Sequence, residues 1–243
     1  MSCSLSDFFI KQDGELMSRE LYSSFQSSVE EFNRCFFDIC EYEYDVVFGN
    51  EPRNRFLYRL LKEFYRNDYF IRYSFINKVL VKSSAISFEE FPVANSRADL
   101  VSINGKSIAY EIKSEFDNYE RLDKQIEDYS KVFEYVYVIC PKKKVEAIKS
   151  HLPEYCGLFV YNGNKKICFN LYKKAVLSPN LSSLHMLDCF RKKELISSFT
   201  CNDTAKILSN FEFDKINKSF KSILKKRFSK KWASLKEEAE SLK

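Results

Sequence analysis

From about Ser18 to Leu80 the apolar positions recur at helical spacing, with Leu57, Leu60, Leu61 and Phe64 set among Arg59, Lys62 and Glu63. This predicts helices. Gly49 and Pro52 mark a break before a helix over Arg53 to Tyr69. Between Ile86 and Leu171 the pattern changes to short β-branched and aromatic runs separated by turn residues. Ile86 to Val93, Asp99 to Ile103 and Ser107 to Lys113 predict three successive strands, the last two joined at Asn104-Gly105. Leu122, Ile126, Tyr129 and Phe133 then return at intervals of four, three and four. A helix from about Tyr119 to Phe133 therefore has one apolar face, and Ser114 to Asn118 offers capping groups before it. Tyr135 to Cys140 is almost continuously apolar, as expected of a strand covered on both faces. A helix over Lys143 to Leu152, a strand over Gly157 to Tyr161, a turn at Asn162-Gly163 and a partner strand over Ile167 to Leu171 follow. From Ser182 helical patterning returns. It ends in an apolar stripe of Ile216, Phe220, Ile223, Leu224, Phe228, Trp232 and Leu235, with lysines filling much of the remaining surface.

This order predicts an α/β fold with an α-β-β-β-α-β core. Its mixed sheet is antiparallel at first and then continued by a crossover. The expected organisation is a helical N-terminal region over 1–80, the core over 81–180, and a helical C-terminal region with a basic amphipathic tail over 181–243. At 243 residues and 45% hydrophobic content, one substantial core with helical additions is the natural arrangement.

Composition narrows the function classes. The aromatic share of 16%, with only 5 Gly and 5 Pro, excludes a disordered chain. The net charge of +5 is modest, so the position of the positive charge, concentrated near the C-terminus, matters more than its sum. The 8 cysteines are scattered, with no Cys-x-x-Cys pair and only His151 and His185 to join them. They read as reduced, buried thiols rather than a zinc site. Met1 to Leu16 lacks a basic start followed by an apolar run, and no apolar stretch is long enough to span a bilayer. The expectation is a cytoplasmic protein with no membrane partner. A Gly-rich phosphate loop and a Ser/His/Asp set are both missing, which disfavours P-loop and serine hydrolase chemistry.

One constellation carries chemistry. Hydrolysis of a phosphodiester is helped by a divalent cation held by carboxylates, plus a side-chain cation near the attacking water. Asp99 and Tyr110-Glu111-Ile112-Lys113 supply these parts. Glu111 and Lys113, two apart on a strand, leave the same face. Whether Asp99 joins them depends on the loop. A strict two-residue turn at Asn104-Gly105 would pair Asp99 with Tyr110 and aim it away from Glu111. A three-residue loop with Gly105 in a left-handed bulge, or a kink at Asp99, would bring Asp99 and Glu111 together.

Asp99, then Glu111-Ile112-Lys113, then Gln125-Ile126-Glu127-Asp128-Tyr129 resemble the PD-(D/E)XK nuclease superfamily. Its RecB-like branch carries Gln-hydrophobic-x-x-Tyr on the helix after the catalytic strand. Including Arg97-Ala98, Ser114-Glu115, Asp117-Asn118 and Arg121-Leu122, the string also looks like a small bacterial sce-type family of predicted nucleases. That likeness runs from roughly Arg53 to Phe199. Ala98 stands where the superfamily name has Pro.

The resemblance implies a restriction-endonuclease-like core and a Mg²⁺-dependent nuclease, with Mn²⁺ as an alternative ion. Asp99 and Glu111 would bind the metal, together with the Ile112 carbonyl and a Glu from an earlier element, for which Glu90 is the candidate and Glu89 the next. Lys113 would assist the attacking water, and Gln125 and Tyr129 would support the site. The expected partner is nucleic acid, DNA before RNA, with a homodimer or a partner protein as further options and defence against phage as a role by analogy.

Each residue also has a plainer reading. Glu-x-Lys on a strand is commonly a surface pair, and Tyr129 fits core packing as well as a site. Arg97 and Arg121 could grip phosphate or pair with Glu90 or Glu120. The basic C-terminal helix could bind phosphates, or could be the solvated face of a helix docked by its apolar stripe. The rival to the enzyme is a catalytically silent nucleic-acid- or partner-binding module on the same fold.

Overall fold

The computed structural model describes residues 14–162 and 167–242. Gly163 of the expected Asn162-Gly163 turn and most of Met1 to Leu16 lie outside them. The chain forms two compact units, residues 1–71 with 240–243, and residues 72–239.

The first unit is built from α1 (Gly14–Ser27), α2 (Val29–Cys40), α3 (Tyr44–Phe48) and α4 (Arg53–Phe64). Ser28 starts α2 by accepting the Glu31 N–H at 3.0 Å, the cap expected of serine before a helix. Phe32, Phe36, Tyr44 and Phe56 are buried, and most of their rings meet edge-on, as Phe36 and Tyr44 do at 5.3 Å. One expectation is corrected here. The single helix over Arg53 to Tyr69 is two, because α4 ends at Phe64 and α5 (Asp68–Phe75) begins after Asn67. The Asn67 side chain accepts the Phe70 N–H at 3.1 Å, and this competing side-chain bond favours a fresh helix start over continuation.

The second unit contains a π-turn (Ile76–Leu80) and a six-stranded mixed sheet in the order β1-β2-β3-β4-β5-β6. Its strands are β1 (Ile86–Val93), β2 (Ser96–Asn104), β3 (Lys106–Ile112), β4 (Tyr135–Pro141), β5 (Gly157–Asn162) and β6 (Cys168–Lys173). β1, β2 and β3 run antiparallel, β4 and β5 continue parallel to β3, and β6 returns antiparallel. The parallel steps are bridged by α6 (Leu122–Ser130) and by a 3-10 turn (Lys142–Lys144) leading into α7 (Val145–Lys149). Both helices are shorter than the patterning predicts. The helices α8 (Ser183–Asp188), α9 (Lys192–Phe199), α10 (Thr204–Asn210) and α11 (Phe213–Ser241) follow.

One face of the sheet is covered by α6 and by the helices after residue 181, which share a continuous apolar core with β1 to β5. Phe228 stacks on Phe88 with ring centres 3.9 Å apart, so the apolar stripe of α11 completes the sheet's own core. On the opposite face Tyr110, Tyr137 and Phe159 pack around Phe75.

The β2–β3 connection decides the register. Ile103 pairs with Ser107 and Asn104 with Lys106, which makes a three-residue loop centred on Gly105 at φ +70°. Only glycine adopts that left-handed backbone without strain. Lys221 of α11 donates to the Gly105 carbonyl at 2.8 Å and to Glu134 Oε1 at 2.8 Å. Glu134 in turn accepts from Ser107 N–H at 2.7 Å and Asn217 Nδ2 at 3.0 Å. The start of β3 is thereby tied to α11.

Candidate active site

The register places Asp99 one step beyond Leu100, the last residue of β2 paired to β3, whose partner is Tyr110. Asp99 therefore stands across from Glu111. Lys113 N–H donates to Ile139 on β4 at 2.9 Å, so by strand alternation the Ile112 N–H faces β2. There it donates to Asp99 Oδ2 at 2.6 Å, the carboxylate taking the place of a strand carbonyl. The regular alternation of β1 is interrupted beside this point by Glu90, whose φ is +55°. As a result Phe88 and Phe91, three apart, both enter the core. The loop of the type that brings the two carboxylates together, and an irregularity beside Asp99, are thus both present.

Glu111, Lys113, Gln125 and Tyr129 form one hydrogen-bonded cluster. Lys113 Nζ donates to Glu111 Oε1 at 2.9 Å and to Gln125 Oε1 at 3.0 Å. Tyr129 OH lies 2.8 Å from Glu111 Oε2 and 2.7 Å from the Arg97 carbonyl. Its single proton serves one of them at a time. Gln125 and Tyr129 can do this because they lie one turn apart on α6, the helix that crosses this face of the sheet. Tyr129 is also fully buried in the core, so it both packs and bonds.

Burial, and after it the charge of Glu111, lifts the Asp99 carboxyl well above its ordinary range. Burial also raises Glu111, against the opposing effect of Lys113, Tyr129 and Gln125. Two such carboxylates side by side favour a shared proton or a bound cation. Asp99, Glu111 and the Ile112 carbonyl are hard oxygen donors, and Mg²⁺ commonly takes only one or two carboxylates and keeps several waters. The donor set fits such an ion, although among the described residues no group of three or more His, Cys, Asp or Glu stands together as a metal site.

Glu90 lines the same cleft as Asp99, and its charge helps to raise the Asp99 carboxyl. It accepts an ion pair from Arg72 at 2.7 Å and from Arg97 at 3.6 Å. Glu89 lies 3.7 Å from Arg72, and Arg72 also reaches to 3.8 Å from Asp99 Oδ1. Arg72 is the site residue that sequence reasoning misses. It sits in α5 with no motif around it, and only packing brings it against β1 and β2. Arg97 pairs as its plainer reading expects, whereas Arg121 is exposed at the cleft.

That cleft, of about 700 Å³, is lined by Glu90, Arg97, Asp99, Arg121, Lys124 and Gln125 among others. Asp99 keeps 20% of its side chain exposed to it. Glu111 and Lys113 lie behind, at 2% and 8% exposure. No residue of α11 lines it. Elsewhere, the described cysteines are all free, and no described helix is long and apolar enough to cross a membrane.

Protein cII of Enterobacteria phage P4 is 32% identical over 116 residues, which is 46% of this chain and 44% of that protein. The matched stretch thus spans less than half of the relative's length. No solved structure matches the chain. The family model described as Bacteriophage P4 protein cII matches residues 61–242, which takes in β1 to β6 and the cluster at Glu111. The chain belongs to the bacteriophage P4 protein cII family.

Proposed function

We propose that the unit over residues 72–239 is a metal-dependent nuclease with a restriction-endonuclease-like core, hydrolysing phosphodiesters of nucleic acid, DNA before RNA. The observation that carries this reading is the pairing of Asp99 with Glu111 across β2 and β3, joined to Lys113, Gln125 and Tyr129 by direct hydrogen bonds. Asp99, Glu111 and the Ile112 carbonyl would hold Mg²⁺ or Mn²⁺. The ion would supply positive charge at the phosphate and lower the pKa of a water.

The chain's own residues prepare that chemistry. The Ile112 N–H fixes one oxygen of Asp99 and leaves the other turned toward the cleft and Arg72. Tyr129 fixes Glu111 Oε2. Lys113 Nζ, held between Glu111 and Gln125, supplies a cation that can orient the attacking water or balance charge developing on the phosphate. Arg121 and Lys124 at the mouth of the cleft offer contacts to flanking phosphates.

A second reading has its own observation. Both carboxylate oxygens of Glu111, the Lys113 ammonium and the Tyr129 hydroxyl already have partners inside the protein, and Glu111 and Lys113 do not line the cleft. This favours a nucleic-acid- or partner-binding module without catalysis. Plasmid, linear and single-stranded substrates incubated with the full chain in Mg²⁺, Mn²⁺ or EDTA separate the two. Metal-dependent cleavage lost in Lys113→Ala and Asp99→Ala variants of unchanged melting temperature supports the enzyme. Binding without cleavage on every substrate leaves the module.

A further inference from the structure

Helix α11 carries a surface unlike any other helix of the second unit. Between Asp214 and Glu237 every charged residue is Lys or Arg. Two of these cations are consumed inside the protein, Lys221 by Glu134 and Arg227 by Glu194. Lys215, Lys218, Lys225, Lys226 and Lys230 are exposed. At 100° per residue Lys215, Lys218, Lys225 and Lys226 fall with Ser222 and Ser229 on the face opposite buried Phe220 and Leu224, and Lys230 falls on its flank. None of the five has an ion-pair or hydrogen-bond partner for its ammonium group among the described residues.

A merely solvated helix face mixes signs. On α6, Glu127 pairs with both Lys124 and Lys131, and such pairs at three and four residues stabilise a helix. On α11 the same spacings set lysine against lysine, at 215 and 218 and at 226 and 230. Like charges at these spacings destabilise an isolated helix. A bound polyanion relieves that repulsion.

We infer that the outward lysine face of α11 is a binding surface for the phosphate backbone of nucleic acid, separate from the Asp99 cleft. The stripe from Lys215 to Lys230 is about 22 Å long at 1.5 Å per residue, enough for several successive phosphates. An anionic lipid surface shares the charge but not the shape of this face. A helix that lies in a bilayer needs exposed apolar residues, and α11 has no large apolar side chain exposed among the described residues; Phe220, Leu224 and Phe228 face the core. The inference rests on the nucleic-acid part of the proposed function, and not on cleavage.

The test is a triple variant, Lys218→Gln/Lys225→Gln/Lys226→Gln, in the full chain. Its control, Lys149→Gln/Lys174→Gln/Lys206→Gln, removes equal charge elsewhere. Affinity for labelled duplex and single-stranded oligonucleotides is read by fluorescence anisotropy in EDTA across a salt series. The stripe variant is expected to bind roughly 10-fold or more weakly at low salt, with its log K against log salt slope reduced by about 2. The control is expected to bind as the wild type does, and the stripe variant to melt no lower than the wild type. Equal affinity and slope in the stripe variant and the wild type overturn the inference. So does an equal loss in the control, or stripe-dependent binding to phosphatidylserine vesicles with no binding to either oligonucleotide. Stripe-dependent binding in EDTA with no metal-dependent cleavage of any substrate upholds this surface and overturns only the catalytic reading.

Discussion

The two ends of β3 each hold a buried carboxylate, and they behave in opposite ways. At the start of the strand, burial pushes Glu134 upward. Hydrogen bonds from Lys221, Asn217 and the Ser107 N–H outweigh it and hold the carboxyl below its usual range. At the far end, Glu111 also receives three side-chain partners, yet burial keeps it raised, and its neighbour Asp99 is raised further by burial and by Glu111 itself. Hydrogen-bond number is similar; what differs first is burial, since Glu111 keeps 3% of its side chain exposed and Glu134 12%, and at Asp99 the charge of Glu111 adds to it. Glu134 is a carboxylate matched to one lysine, whereas Asp99 and Glu111 are two carboxylates competing for limited positive charge. A fold stabilises itself with the first arrangement and tolerates the second where a ligand is due.

The largest effect that would sharpen this contrast is on rate. Asp99→Ala is expected to lower metal-dependent cleavage by roughly 10³-fold, measured in single-turnover assays, with the melting temperature not lowered. Removal of the matched carboxylate acts on stability instead. Glu134→Ala should cost about 3 kcal/mol in urea titration, because it leaves Lys221 and Asn217 without their partner. The contrast breaks if Glu134→Ala is harmless.

The two carboxylate regions also predict opposite pH responses. Glu134 is depressed, so its stabilisation is present above the ordinary carboxylate range and lost as pH falls through its lowered pKa; Glu134→Gln should flatten the acid side of the stability curve. Asp99 is raised, so the folded state keeps its proton longer than the unfolded chain does. Stability is then full below the ordinary range and lost as pH rises through the raised pKa. Tyr129→Phe, which removes the hydroxyl between Glu111 and the Arg97 carbonyl, should cost about 1–2 kcal/mol. The smallest effect is a gain. Asp99→Asn in EDTA should stabilise the protein by roughly 1 kcal/mol near neutral pH, with the gap widening as pH rises. Added Mg²⁺ should raise the melting temperature of the wild type and not of this variant. A stabilising response to Mg²⁺ that survives Asp99→Asn would place the ion elsewhere.

Much of the second unit was legible from local pattern. β1 has the bounds its apolar run predicts, and β4 and β5 differ by a single residue. Gln125 and Tyr129 share a face because helical periodicity requires it. The single helix expected over Arg53 to Tyr69 was wrong because Asn67 offers the backbone a competing bond. That choice is decided by one side chain rather than by periodicity. Arg72 was missed for a different reason. Its meeting with Glu89, Glu90 and Asp99 joins segments with no common sequence signal, so no window along the chain contains it. Glu90, expected at the metal, shares that arginine with Asp99 and also pairs with Arg97.

The sequence by itself determined which residues could do chemistry: a strand bearing Glu111 and Lys113, a helix bearing Gln125 and Tyr129, and an Asp99 on the strand before. These follow from periods of two and 3.6 residues, which are properties of the backbone. Only the tertiary structure decided that Asp99 meets Glu111. That outcome turns on one glycine's left-handed backbone at Gly105 and on Lys221, 116 residues away, holding that loop's carbonyl. Register is a relation between strands, and its energy lies in contacts that no local pattern contains.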